Sequence, residues 1–281
     1  MTVQQRTSLA DALAAIAWLL ALGVSAAGLL VGGLYRDNEA MVAQAQGTDL
    51  ATLFAAVPAL GIGLWLARRG SERARLVVLG SLGYLVYTYA IYAFQVVINP
   101  VTPLHIAILG LGTWSLILGG PVLFDMAAMP VATSLPRRTT AGFLAVVVVM
   151  FAGLWLGQIA GAITSGALPA AVADLDLPTS AVYTLDLAFA LPILALASAL
   201  LVRKEPRTRP AIASLVFIVL MALSILGLFA IQAARGLPID PSLTIGFGVI
   251  VAIASVLAGL GLRSAREVAA VRRPGVAHMA G

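Results

Sequence analysis

"AVYTLDLAFALPILALASALLV", residues 181 to 202, decides the fold. These twenty-two residues carry one charge, Asp186, and the run closes on Arg203 and Lys204. A helix rises about 1.5 Å per residue, so a run of this length crosses the roughly 30 Å hydrocarbon core of a bilayer. Seven more stretches fit the template: Ala12–Tyr35, Thr48–Ala67, Leu76–Ile98, Leu104–Phe124, Ala141–Thr164, Ala211–Ala233 and Ser242–Leu262. No stretch shows the two-residue alternation of a membrane β-barrel. The expected fold is all-α, a polytopic transmembrane bundle of eight spans.

Composition agrees. Of 281 residues, 61% are hydrophobic and 10% charged, against about 25% charged in an ordinary soluble domain. Cysteine is absent, which excludes disulfides, thiolate metal sites and cysteine nucleophiles. Arg6 and the apolar run behind it suggest a signal peptide. The run continues to Leu34, beyond the roughly 7–15 apolar residues of such a signal, and reads as a retained first helix.

The net charge of +5 does not point to nucleic acid, because the basic residues sort by side. Fifteen of the seventeen fall at the termini and even-numbered connections, including Arg68, Arg69, Arg73, Arg75, Arg137, Arg138 and Arg203. Only Arg36 and Arg235 fall on the other side. The positive-inside rule then puts both termini in the cytoplasm. The opposite side is acidic, with Asp37, Glu39, Asp49, Asp174, Asp176, Asp186 and Asp240. Its long connections are 36–47 and 165–180. Residues 1–265 form the transmembrane domain and 266–281 a basic, disordered tail.

"TLFAAVPALGIGLWLARR" (52–69) aligns with "DLAFALPILALASALLVRK" (186–204), bringing Pro58 onto Pro192. Each follows a long acidic-side loop, has an acid in its outer part (Asp49, Asp186), and precedes a helix with an outer glutamine (Gln95, Gln232). A 4+4 duplication of residues 1–130 and 140–265 would produce this pattern. The two prolines should bend their helices. Gly153, Gly157 and Gly161 recur every four residues in the fifth helix, spacing that permits close helix–helix approach. An internal contact is the favoured reading; a homo-oligomer is the other.

In "GYLVYTYAIYAFQVVINP" (83–100), Tyr84, Thr88, Tyr92, Gln95 and Asn99 share one helix face. Lipid offers these groups no hydrogen bonds, so the face should look into the bundle. It is either a run of interhelical hydrogen bonds or a pocket wall. Tyr87 and Tyr89 fall off this stripe. A charge at a span's centre costs about 2.5–3.5 kcal/mol on insertion scales. Asp186 therefore needs partners, expected among Arg36, Arg235, His105, Tyr183 and the stripe. The alternative is an ion pair that only fixes helix register.

Several functions lack their residues. Paired intramembrane histidines for haem, a lysine within a span for retinal, a P-loop and a zinc motif are all missing. No metal or cofactor is expected. The chain resembles a family of bacterial polytopic membrane proteins without an assigned activity. The resemblance rests on "LYRDN" (34–38), "GTDLATL" (47–53), "LWLARRGSERARL" (64–76), "YTYAIYAF" (87–94) and "YTLDLAFALP" (183–192). It implies fold and membrane location, and marks Asp49 and Asp186 with their prolines as family features.

Three functional classes remain. The first is binding or transport of a small apolar or amphipathic molecule or lipid in an outer polar pocket. The second is a lipid-modifying enzyme using Asp186 and His105 as acid and base. The third is an accessory subunit. The scarcity of polar groups in the cytoplasmic half weakens transport, and a binding protein leads. Bilayer lipid is the expected surrounding partner.

Overall fold

The computed structural model describes residues 2–126, 135–203 and 208–271. Every long element is a helix, and no strand occurs among the described residues. Eight helices are long and apolar enough to cross a membrane: α1 (Val3–Leu30), α2 (Glu39–Arg68), α3 (Glu72–Gln95), α4 (Thr102–Met126), α5 (Arg137–Ser165), α6 (Ala181–Val202), α7 (Arg209–Ala234) and α8 (Pro241–Val271). The chain is a multi-pass membrane protein.

The spans match the expected ones, with informative departures. The segment 36–47 is not a long loop, because α2 begins at Glu39, capped by the Asn38 side chain at 2.9 Å from the Met41 amide. Residues 266–271, expected in the disordered tail, extend α8. Lys204, Arg207, Arg272, Arg273 and the remaining tail with His278 lie outside the described residues.

The tightest packing comes from small residues outside the glycine stripe of the fifth helix. Ala10, Ala14, Ala17 and Ala21 form a buried stripe on α1 that packs along α4. There the Ser115 hydroxyl donates to the Ala10 carbonyl at 2.8 Å. On α2, a Cβ at Gly47 would strike the backbone of Leu228 in α7; one at Gly227 would strike the Gly47 carbonyl. Gly80 of α3 lies against α7 in the same way, 2.6 Å from the Ala213 carbonyl oxygen to its would-be Cβ. In lipid no hydrophobic force drives helices together, so this backbone proximity carries the association. The centre of the bundle is α3, with Tyr84, Leu85 and Tyr89 fully buried.

The fifth helix corrects an expectation. Nothing lies within 4 Å of a Cβ placed on Gly153, Gly157 or Gly161, and all three are exposed. The internal contact favoured for them does not form. Instead α5 turns Phe151, Trp155 and Gln158 inward and packs chiefly on α6, where Ser198 donates to the Ala141 carbonyl at 2.9 Å.

At the basic end Arg75 pairs with Asp11, and Arg209 with Glu72 at 2.8 Å. Arg209 is only 3% exposed, so its charge depends on that partner. The basic half is thus less free of buried polar groups than expected, although Ser115 and Ser198 satisfy themselves on backbone carbonyls.

Both prolines mark helix irregularities. A wide π turn covers Thr52–Ala56 before Pro58, and another covers Asp186–Ala190 before Pro192. A proline cannot donate to the preceding turn, and a π turn absorbs the misfit. Each turn ends two residues before its proline. In this register Thr52 matches Asp186, while Asp49 matches Tyr183. The two acids read as counterparts are three residues out of step.

Candidate functional site

The bundle holds two separate carboxylate clusters. The first is closed. Asp49 is fully buried and receives the Tyr35 hydroxyl at 2.5 Å and the Tyr92 hydroxyl at 2.9 Å. Burial and the neighbouring Asp49 push the Tyr35 hydroxyl up, so it remains a donor. Gly28 leaves the space this cluster fills, since a Cβ there would overlap the Asp49 carboxylate. His105, fully buried, holds its ring tilted against those of Tyr92 and Tyr89, with centroids 4.7 and 5.7 Å away. Among the described residues neither of its nitrogens has a hydrogen-bond partner.

The second cluster opens onto space. Asp186, first residue of the α6 π turn, receives the Tyr87 hydroxyl on Oδ1 at 2.9 Å. The Trp155 indole N–H donates to Oδ2 at 2.6 Å. One turn earlier, Tyr183 packs its ring 5.4 Å from Trp155 and donates to Gln158 Oε1 at 2.6 Å. Asp186, Tyr87, Trp155 and Tyr183 line a cavity of about 360 Å³, within the size range of small-molecule sites.

The cavity has a polar end and an apolar end. Gln95, Thr88 and Ser180 join Asp186 at the acidic side of the bundle. Toward the basic side the walls are Val147, Leu194, Phe217 and Ile250. Ala171, Val172 and Leu175 of the 166–180 connection also line it. Asn38 secures that connection by donating to the Asp174 carbonyl and to Asp176 Oδ2, both at 3.0 Å.

Its existence follows from uneven packing. The first half closes by the extensive α1–α4 contact, and α2 seats its glycine on α7. In the second half α6 touches α3 around Ala181–Leu185. Between α5 and α8 the walls meet at Phe151 and Phe247, ring centroids 6.3 Å apart.

The expected site residues therefore divide. Asp186, Tyr183, Thr88, Tyr92 and Gln95 line the cavity. Tyr84 instead turns to Thr52, 2.8 Å between hydroxyls. Asn99 organises the turn before α4, bonding Val97, Val101 and Thr102. Asp49 and His105 sit in the closed cluster, off the cavity wall, so the acid–base pairing of Asp186 with His105 does not form. Tyr92 separates the clusters, its ring on the cavity and its hydroxyl on Asp49.

The partners expected for Asp186 are also corrected. Arg235 donates to Gln46 and Arg36 is exposed; neither pairs with Asp186. Tyr87 lies off the polar stripe, and neither Trp155 nor Tyr35 is among the residues expected at a site, yet all three bond the carboxylates. Phe151, Trp155 and Gln158 at steps of four and three, on the face away from the α5 glycines, were the available signal. No group of three or more metal-ligating side chains occurs among the described residues.

No family model, curated protein or solved structure matches this chain.

Proposed function

We propose that the protein binds an amphipathic small molecule or lipid, its polar group at Asp186 and its apolar part between α5, α6, α7 and α8. The observation that carries this reading is the cavity itself, apolar over most of its wall and holding a half-buried carboxylate at one end. Close-packed protein interiors leave few voids of this size. The arginine distribution supports an orientation with the basic end cytoplasmic, which in the plasma membrane of a bacterium, the location proposed here, sets the polar group in the outer leaflet. Binding fits better than transport, because the polar lining stops short of the basic end.

A single-tryptophan protein retaining Trp155, with Trp18, Trp65 and Trp114 changed to Phe, tests the reading in lipid nanodiscs. A fatty-chain alcohol brominated along its chain should quench Trp155 saturably. Ala222→Phe, which fills the cavity from α7, should reduce that quenching about tenfold or more in affinity. Linear quenching that ignores Ala222→Phe means the chain reaches Trp155 only from bulk lipid, and the reading fails.

A further inference from the structure

The ligand's chemical class can be read from the polar end of this cavity, granting that the cavity binds an amphiphile. Asp186 is the one charged side chain on the wall among the described residues. Its carboxylate oxygens each receive one neutral donor, from Tyr87 and from Trp155. Among the described residues no arginine pairs with it: Arg235 is engaged by Gln46, and the Arg75 and Arg209 ion pairs lie at the far, basic end. A carboxylate in a low-dielectric site without a countercharge strongly favours a cation over a neutral group of the same shape.

The surroundings are aromatic. The rings of Trp155 and Tyr183 stand 5.4 Å apart beside Asp186, and Tyr87 closes on it from α3. Aromatic faces around an acid suit an ammonium or quaternary ammonium group, which is attracted to the ring quadrupoles and needs no directed donors. An anionic head would meet Asp186 with like charge and find no basic side chain on the wall. A neutral hydroxyl would find hydrogen bonds from Gln95, Thr88 and Ser180, but would leave the charge uncompensated.

We infer that the cavity selects cationic amphiphiles: an amine or quaternary ammonium group seated between Asp186, Trp155 and Tyr183, with an alkyl or other apolar portion running toward Leu194 and Phe217.

The test uses the full chain in zwitterionic-lipid nanodiscs, with three probes of equal chain length: decyltrimethylammonium, decanol and decanoate. Empty nanodiscs correct each free concentration for partitioning, and Trp155 emission in the single-tryptophan protein reports occupancy. Decyltrimethylammonium should bind about tenfold tighter than either other probe. Asp186→Asn should bring decyltrimethylammonium and decanol within about threefold of each other while decanol still binds. Equal or tighter decanol or decanoate binding to the wild type overturns the inference, as does a cation preference that survives Asp186→Asn. Saturable decanol binding alongside either result leaves the cavity's role as a binding site standing. Failure of all three probes removes that role and the inference with it. Should Asp186→Asn not fold, Tyr183→Leu keeps the charge and removes a ring. It should cut the cation-to-decanol ratio about threefold, and an unchanged ratio overturns the aromatic seat.

Discussion

Gly47 and Gly227 lie backbone against backbone, so that a single added carbon on either would collide with the other helix. This contact locks α2 to α7 and fixes one side of the space between the bundle's halves. The cavity lies where no equivalent contact forms.

Gly227→Ala or Gly47→Ala should therefore lower stability by about 1–3 kcal/mol through overpacking. Denaturant titration in mixed micelles measures this. Gly153→Ala, on the open face of α5, provides the matched control and should stay within about 0.5 kcal/mol.

The Asp49 cluster should behave as structure rather than as a ligand site. Asp49→Ala strands the buried Tyr35 hydroxyl and should cost about 1–3 kcal/mol. Asn at this position keeps an acceptor and should cost less. Among Asp49→Asn molecules that fold, binding at the Trp155 cavity should match wild type, because Asp49 is not on its wall. A large loss of affinity with unchanged stability would reassign Asp49 to the site.

Glu72→Ala should destabilise by about 3 kcal/mol, since it leaves Arg209 charged and almost wholly enclosed. The double variant Glu72→Ala, Arg209→Met should recover most of that loss. A double mutant as unstable as the single would mean that Arg209 contributes through packing of its stem.

The glycine stripe of α5 separates folding from association. Gly157→Leu should leave the thermal melt of the isolated subunit unchanged, because nothing inside the bundle opposes it. If copies associate through this stripe, the same change should abolish energy transfer between labelled subunits in sparse proteoliposomes. Unchanged transfer would place any self-association elsewhere.

How much could be read in advance depended on the kind of force involved. Span number and pattern follow from the cost of exposing peptide groups to lipid, a strong local rule written into runs such as 181–202. Which face of a helix turns inward is decided by partners distant in sequence. The tyrosines show this: Tyr87 falls off the stripe through Tyr84 and Tyr92, yet it reaches Asp186 because α6 meets α3 at its acidic end. Glycine spacing likewise announces that close approach is permitted, not that it occurs. Gly47 and Gly227, with no repeat to flag them, make the contact that Gly153 and Gly157 do not. The prolines at 58 and 192 signal irregularity and, once aligned, already set Asp49 and Asp186 three residues out of step, but that each irregularity is a wide π turn emerges only from the fold.

Asn38 holds the 166–180 segment across the acidic end through two bonds from its amide nitrogen, while its oxygen caps α2 at Met41, and its own side chain is not on the chamber wall. Such a latch governs traffic rather than affinity. With Asn38→Ala, guests should arrive and depart faster by similar factors while the equilibrium constant barely moves, so the residence time of whatever occupies the chamber is set by a side chain it never meets.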